Sequence, residues 1–62
     1  MKGKVKWFNP RKGYGFIVGE DEKEYFVHQS ELPDGYVHEN DEVEFESEKT
    51  DRGLNAKEVK KI

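Results

Sequence analysis

Two short aromatic runs constrain the fold of this 62-residue chain more than any other feature. The first run is Lys12–Ile17 (KGYGFI) and the second is Tyr25–His28 (YFVH). Side chains in a β-strand alternate between two faces, so each run, read as a strand, places two of its rings on one face. The rings that share a face are Tyr14 and Phe16 in the first run, and Phe26 and His28 in the second. The pattern predicts a β-hairpin with four rings on one surface.

The opposite face of this hairpin supplies the predicted core. It carries Ile17, Tyr25 and Val27, which would be exposed if the four rings were buried instead. The rings are therefore expected at the surface. Exposed apolar patches mark binding sites, and unpaired nucleobases are flat partners that stack on such rings.

The segment before the hairpin also reads as a strand, over residues 4–9, with Val5 in the core. Trp7 and Phe8 follow one another directly, so a regular strand cannot bury both. We expect a β-bulge, or an aromatic side chain that faces outward, at this point. From the alternation alone, Trp7 fits a half-buried core anchor as well as it fits a binding residue.

Two further strands are predicted in the second half of the chain. Val43 and Phe45 alternate with glutamates, which is typical of a strand with one buried face and one wet, acidic face. The last strand, over residues 54–62, carries Ala56 and Val59 at positions of opposite parity, which either a bulge or a frayed end would reconcile. Leu32, in a Pro- and Gly-containing loop, is expected to plug one end of the core.

Turn residues separate the five predicted strands, and no segment shows helical periodicity. Five short strands with no room for helices predict a closed or nearly closed antiparallel barrel, formed as one domain over residues 1–62. A domain of this size has a thin core and marginal stability.

Charge is unevenly distributed along the chain, which carries a net charge of −3. Residues 1–19 contain five basic groups and no acid, residues 20–48 sum to −11, and residues 49–62 sum to +3. The first aromatic run lies in the basic block, which can attract phosphate groups locally although the whole chain is acidic. The alternative is that the basic and the acidic block are both ordinary solvated surface.

Two segments together carry a family resemblance. Lys2–Ile17 (KGKVKWFNPRKGYGFI) and Tyr25–Ser30 (YFVHQS) resemble the two ribonucleoprotein motifs of the cold-shock domain, and the resemblance covers essentially the whole chain. RNA-recognition-motif domains contain a string similar to KGYGFI, but they need two helices and place their other motif first. The resemblance therefore implies an all-β fold, a small five-stranded antiparallel OB-fold barrel.

The resemblance also implies a function. Cold-shock domains bind single-stranded RNA or DNA with little sequence specificity, with a preference for pyrimidine-rich stretches, and are often described as RNA chaperones. Matching the motifs residue by residue assigns base stacking to Trp7, Tyr14, Phe16, Phe26 and His28. It assigns polar or phosphate contacts to Lys6, Asn9, Lys12 and Arg52, with Phe8, Gln29 and Tyr36 as further candidates.

This chain departs from the family pattern at three places. Many bacterial members carry an aromatic residue at the position of Gln29. This chain has a hydrogen-bonding amide there instead, as the eukaryotic Y-box relatives do. Pro10 and Arg11 replace residues that are usually small or acidic, and Arg11 should strengthen the attraction of phosphate. The loop after Pro33 is shorter than usual, which leaves the equivalence of Tyr36 to a family loop aromatic open.

Other functional classes fit the sequence less well. A barrel that grips a proline-rich peptide would use similar aromatics, but its groove would be expected among acids rather than among lysines. No nucleophile, base and orienting group are recognisable, so no catalytic residue is expected. Without Cys, and with only two separated His residues, neither a metal site nor a cofactor is expected.

The expected setting follows from what the chain lacks. It has no apolar signal segment among its first residues and no run long enough to span a membrane. We expect a cytoplasmic monomer that binds nucleic acid and takes no small-molecule substrate.

Overall fold

The computed structural model of the protein describes residues 1–32, 35 and 37–62. The strands are β1 (Lys2–Asn9), β2 (Tyr14–Gly19), β3 (Glu24–His28), β4 (Glu42–Thr50) and β5 (Gly53–Lys61). A single 3₁₀ turn, Gln29–Glu31, follows β3. No helix in this described part is long and apolar enough to cross a membrane.

The strands close into a barrel in the order β1-β2-β3-β5-β4. β1 lies between β2 and β4, and four of the five pairings are antiparallel. The fifth, between β3 and β5, is parallel and registers at one position, Phe26 with Asn55. The predicted five-stranded barrel is confirmed. Its antiparallel pattern stops at this closure, because an odd number of strands in a ring cannot alternate in direction throughout. We call the β3–β5 closure the seam.

The barrel interior contains the side chains that strand parity assigned to it. Ile17 and Val27 have no exposed surface, and Tyr25 is 3% exposed. The Tyr25 ring packs against that of Phe45, with centroids 5.0 Å apart, and its hydroxyl donates to Asp21 Oδ2 at 2.7 Å. Leu32 joins the same core, as expected.

A bulge in β1 settles the competition between Trp7 and Phe8. Val5 pairs with Ile17, but Trp7 already pairs with Phe16, so Lys6 is an extra residue in β1. The extra residue reverses the alternation, and Trp7 faces outward while Phe8 packs partly against the core. The predicted irregularity is confirmed, and Trp7 is not part of the buried core.

The second predicted bulge is also present, in β5. Glu44 pairs with Lys60 and Glu46 with Lys57, which leaves one extra residue in β5. That stretch contains Glu58, with a φ of 50°, and the Glu58 amide donates to Glu31 Oε1 at 3.2 Å. Ala56 and Val59 are consequently both buried.

Strand boundaries differ by one or two residues from those that the sequence predicts, which are residues 4–9 for β1, 13–18 for β2, 24–29 for β3 and 54–62 for β5. β1 begins at Lys2, two residues before the predicted start, and these first residues pair with β4. Gly13 precedes β2 in a turn with a φ of 76°. Gln29 leaves β3 and opens the 3₁₀ turn, which is too short to produce a helical pattern in the sequence.

The barrel interleaves the three charge blocks. Across β1 and β4, Lys2 pairs with Glu44 and Lys4 with Glu42. On the other side of β4, Lys57 forms a 3.0 Å ion pair with Glu48. The charge segregation of the sequence thus becomes an alternation of acidic and basic strands in space.

Candidate nucleic-acid interface

Five rings from three adjacent strands form one outer surface of the barrel. Tyr14 pairs with His28 across β2 and β3, Phe16 pairs with Phe26, and the β1 bulge places Trp7 opposite Phe16. We call this surface the ring platform; it consists of Trp7, Tyr14, Phe16, Phe26 and His28. The predicted face assignment is confirmed.

The rings of the platform contact one another. Tyr14 stacks on Phe26 at a centroid distance of 5.7 Å, while Phe16 meets Phe26 edge to face at 5.8 Å. Trp7 lies 5.8 Å from Tyr14 and 5.6 Å from Phe16. These separations are favourable for aromatic pairs, and such packing holds each ring in place. Trp7 remains 37% exposed, so the platform is both ordered and open to a ligand.

Gly15 permits the close approach that assembles the platform. A Cβ atom at Gly15 would overlap the Trp7 carbonyl oxygen and lie 2.7 Å from the Phe8 Cα atom. Only glycine allows β1 and β2 to meet at this distance. The contacts of Trp7 with Tyr14 and Phe16 depend on that approach.

The imidazole of His28 is oriented by the 3₁₀ turn. The backbone amide of Ser30 donates to His28 Nδ1 at 3.2 Å, and the Ser30 hydroxyl lies 2.9 Å from the same nitrogen. Because Nδ1 accepts a hydrogen bond from this amide, the neutral ring carries its proton on Nε2. His28 therefore has a fixed tautomer at the edge of the platform.

Asn9 shapes the basic turn beside the platform. Its Oδ1 accepts from the backbone amides of Arg11 at 3.0 Å and Lys12 at 3.2 Å. Its side-chain oxygen is thus used within the turn, and only its amide protons remain for a ligand. This local geometry holds the exposed residues Arg11 and Lys12 next to Tyr14.

Lys6 and Arg52 flank the platform on two other sides. Lys6 Nζ forms a 3.0 Å ion pair with Glu24 Oε1, and both side chains are about half exposed. An exposed pair of this kind contributes little to stability, so Lys6 can exchange partners. Arg52 is exposed on the turn between β4 and β5, where its amide donates to Thr50 Oγ1 at 3.3 Å.

A cleft of about 760 Å³ continues the platform across the seam. We call it the seam cleft; its lining residues are Phe16, Glu24, Phe26, Thr50, Asp51, Arg52, Leu54 and Asn55. Phe16, Phe26 and Arg52 are among the candidates predicted from the sequence, whereas Glu24, Thr50, Asp51, Leu54 and Asn55 are not. Leu54 and Asn55 carry no local signal because the fold brings them to the rings only through the seam, whereas Glu24 shares the outer face of β3 with Phe26.

The remaining sequence candidates occupy the margin of the platform. The backbone amide of Gln29 donates to the Gly13 carbonyl at 2.8 Å, and the exposed side chain of Gln29 lies over Gly13. Phe8 is turned partly towards the core and offers less surface than Trp7. Tyr36 lies outside the described residues. Within those residues, no group of three or more His, Asp or Glu side chains could hold a metal ion.

Comparison with known proteins identifies the family. The model of the 'Cold-shock' DNA-binding domain matches residues 1–62. Cold shock protein 1 of Lactiplantibacillus plantarum is 50% identical over 60 residues, which cover 92% of this chain and 91% of that protein. The major cold shock protein of Micrococcus luteus is 48% identical over 64 residues, which cover 97% and 96% respectively. The chain belongs to the cold-shock domain family, whose members bind nucleic acid.

A solved structure shows the same fold. The structure titled drosophila Unr CSD456 superposes with a TM-score of 0.77 at 28% identity, over 98% of this chain. The match covers 26% of the Unr chain, so the barrel corresponds to one part of a longer protein.

Proposed function

We propose that this chain acts as one domain over residues 1–62 that binds single-stranded RNA or DNA by stacking bases on the ring platform. The observation that carries the proposal is the mutual contact of four aromatic rings, with His28 beside them, on the outer face of a barrel whose inner face is buried core. A small domain gains little from exposing such a surface unless other flat rings bind there.

The proposed contacts fall into two groups. The platform rings stack on bases, while Lys6, Lys12 and Arg52 contact the phosphate backbone together with Arg11. Gln29 and the amide protons of Asn9 offer hydrogen bonds at the margin. Phe8 and Tyr36 complete the proposed site.

Stacking and charge contribute differently to affinity. Stacking is worth roughly 1–3 kcal/mol per base and tolerates any base, so several rings supply useful affinity without a sequence code. Each neutralised phosphate on a single strand contributes about −0.7 to the slope of log K against log salt. A preference for pyrimidine-rich strands is part of the proposal, and the resemblance to cold-shock domains supports it.

Binding of this kind acts as an RNA chaperone. Paired bases hide their faces, so a protein that stacks on free bases binds melted RNA and draws the folding equilibrium towards it by mass action. The proposed role needs no ATP and no catalysis. We place it in the cytoplasm, carried out by a monomer without a cofactor or a small-molecule substrate.

A titration followed by Trp7 fluorescence tests the proposal, because Trp7 is the only tryptophan and lies in the platform. The ligands are a short oligo-uridine, the matching oligo-adenine, an RNA duplex and a proline-rich peptide, each at two salt concentrations. We expect the tightest binding to oligo-uridine, weakened by salt, and little response to the duplex or the peptide. Equal affinity for duplex and single strand, or binding of the peptide alone, would refute base stacking.

A further inference from the structure

The seam cleft differs chemically from the ring platform that it extends. The rings of Phe16 and Phe26 and the apolar side chain of Leu54 border it, together with charged and amide groups. Its volume of about 760 Å³ lies within the range of pockets that hold small organic groups. A nucleotide whose base lies against Phe26 would also meet polar groups that can read its edge.

Thr50 determines which end of the Asn55 amide is available in this cleft. The Thr50 hydroxyl donates its only proton to the Gly53 carbonyl, at 3.2 Å. In its two other contacts it can therefore only accept, from the backbone amide of Arg52 at 3.3 Å and from Asn55 Nδ2 at 3.0 Å. This assignment leaves Asn55 Oδ1 as an acceptor with no hydrogen-bond partner in the described part of the chain.

The carboxylate of Glu24 lines the seam cleft together with the ring of Phe26. Glu24 lies two residues before Phe26 on β3 and therefore shares its outer face, while Asn55 is the residue that registers with Phe26 across the seam. Glu24 uses Oε1 in its ion pair with Lys6, which leaves Oε2 available. Asp51 adds a second carboxylate to the cleft, and Arg52 is its one lining cation.

The cleft therefore presents acceptors and selects for a base edge rich in donors. Guanine carries two adjacent donors, N1–H and the N2 amino group. Uracil has one N–H between two carbonyl oxygens, and these oxygens would be repelled by Asn55 Oδ1 and by the carboxylates of the cleft. Adenine and cytosine each carry an amino group beside an unprotonated ring nitrogen, so they satisfy only part of the acceptor set.

We propose that the seam cleft holds a guanine at one position of the bound strand, with Asn55 as the reading residue and Thr50 as the positioning residue that orients its amide. The proposal rests on the proposed function, since the rest of the strand must lie on the ring platform. It adds a base preference at a single position to a surface that otherwise tolerates any base.

Position-walked oligonucleotides test the preference. A short oligo-uridine is compared with variants that carry one guanine at each position in turn. We expect one position at which guanine tightens binding by about fivefold or more, which corresponds to one good base-edge contact. Inosine, which lacks the N2 amino group, should recover only part of that gain, and adenine less.

Substitutions at Thr50 then separate positioning from general stability. Thr50→Val removes the hydroxyl and should abolish the guanine preference while oligo-uridine binding stays within about twofold, and Thr50→Ser should restore the preference. Asn55→Val, which removes the acceptor directly, should give the same loss and serves if Thr50→Val folds poorly.

The outcomes are distinguishable. Failure to bind oligo-uridine would overturn the proposed function itself. Binding of oligo-uridine with no guanine-preferring position, or a preference that persists in Thr50→Val and Asn55→Val, would overturn the seam-cleft proposal alone.

Discussion

Phe16 and Phe26 face each other across β2 and β3, with ring centroids 5.8 Å apart and planes inclined by 77°. Their chain neighbours Ile17 and Tyr25 pair at the next position of the same ladder and are buried inside the barrel. One hairpin therefore separates the residues that stabilise the fold from those that are available to a ligand.

This separation predicts that Phe16→Ala and Phe26→Ala each weaken oligo-uridine binding by about 1–3 kcal/mol while reducing the free energy of unfolding less. Ile17→Val is the matched control on the inner face. It should lower stability by roughly 0.5–1.5 kcal/mol and leave binding nearly unchanged. Fluorescence titration and urea denaturation measure the two quantities. Unfolding of either Phe variant would show that the rings belong to the core.

Gly15→Ala is predicted to disturb both folding and binding, because its Cβ would overlap the Trp7 carbonyl and force β1 away from β2. We expect a loss of stability of about 1–3 kcal/mol, typical of overpacking, and a changed Trp7 emission. Gly35→Ala is the comparison: its Cβ would meet no atom of the described residues within 4 Å, so the expected cost is that of a φ of 78°, about 1 kcal/mol. An unchanged Trp7 spectrum in Gly15→Ala would contradict the role of this close approach.

The ion pair between Lys6 and Glu24 predicts how salt affects binding. Glu24→Gln frees Lys6 for a phosphate, so the affinity for oligo-uridine should rise at low salt. The slope of log K against log salt should become steeper, by up to about 0.7. Glu20→Gln, which makes the same charge change outside the platform, controls for the altered net charge. Identical slopes in the two variants would mean that Lys6 does not contact the backbone.

The hydrogen bond from Tyr25 to Asp21 predicts a pH dependence of stability. It lowers the pKa of the Asp21 carboxyl from its ordinary value of 3.8, and in turn it raises the pKa of the Tyr25 hydroxyl above 10.0. Because the carboxyl is more acidic in the folded state, its contribution is fully present above pH 3.8 and is lost as the pH falls through the lowered pKa. The tyrosine contribution is present below pH 10.0 and is lost as the pH rises through the raised pKa.

Tyr25→Phe removes the tyrosine titration and the largest cause of the lowered Asp21 pKa, while the backbone hydrogen bond from Lys23 remains. Its unfolding free energy should therefore depend less on pH than that of the unaltered chain, at the acidic and at the alkaline end, when measured by denaturation across the pH range. Lys23→Gln is a control, since it retains the hydrogen bond. A Tyr25→Phe profile parallel to the original would show that the bond does not shift either group.

The sequence is most informative where neighbouring residues compete for the same face. Ile17, Tyr25 and Val27 could be assigned to the core because the alternative exposes all three, and adjacent Trp7 and Phe8 required an irregularity that the structure supplies as a bulge. The orientation of Trp7 was not predictable, since parity alone did not decide which of the two rings a bulge would turn outward.

Long-range features escaped prediction for a different reason. Asn55 reaches Phe26 through a single parallel register position between strands far apart in the chain, and no local pattern records that pairing. The use of Asn9 Oδ1 within its own turn is a matter of hydrogen-bond geometry, which a list of polar candidates does not contain.

The two binding surfaces depend on different strands, because the barrel closes at the seam. The ring platform needs only β1, β2 and β3, which are consecutive and form by local hairpins. The seam cleft exists only after β5 has paired with β3 and closed the barrel. A nucleic acid that lies on both surfaces ties the first half of the chain to the last. Its binding therefore stabilises the closed barrel over forms in which β5 has detached from β3, by the free energy with which it binds at the seam cleft.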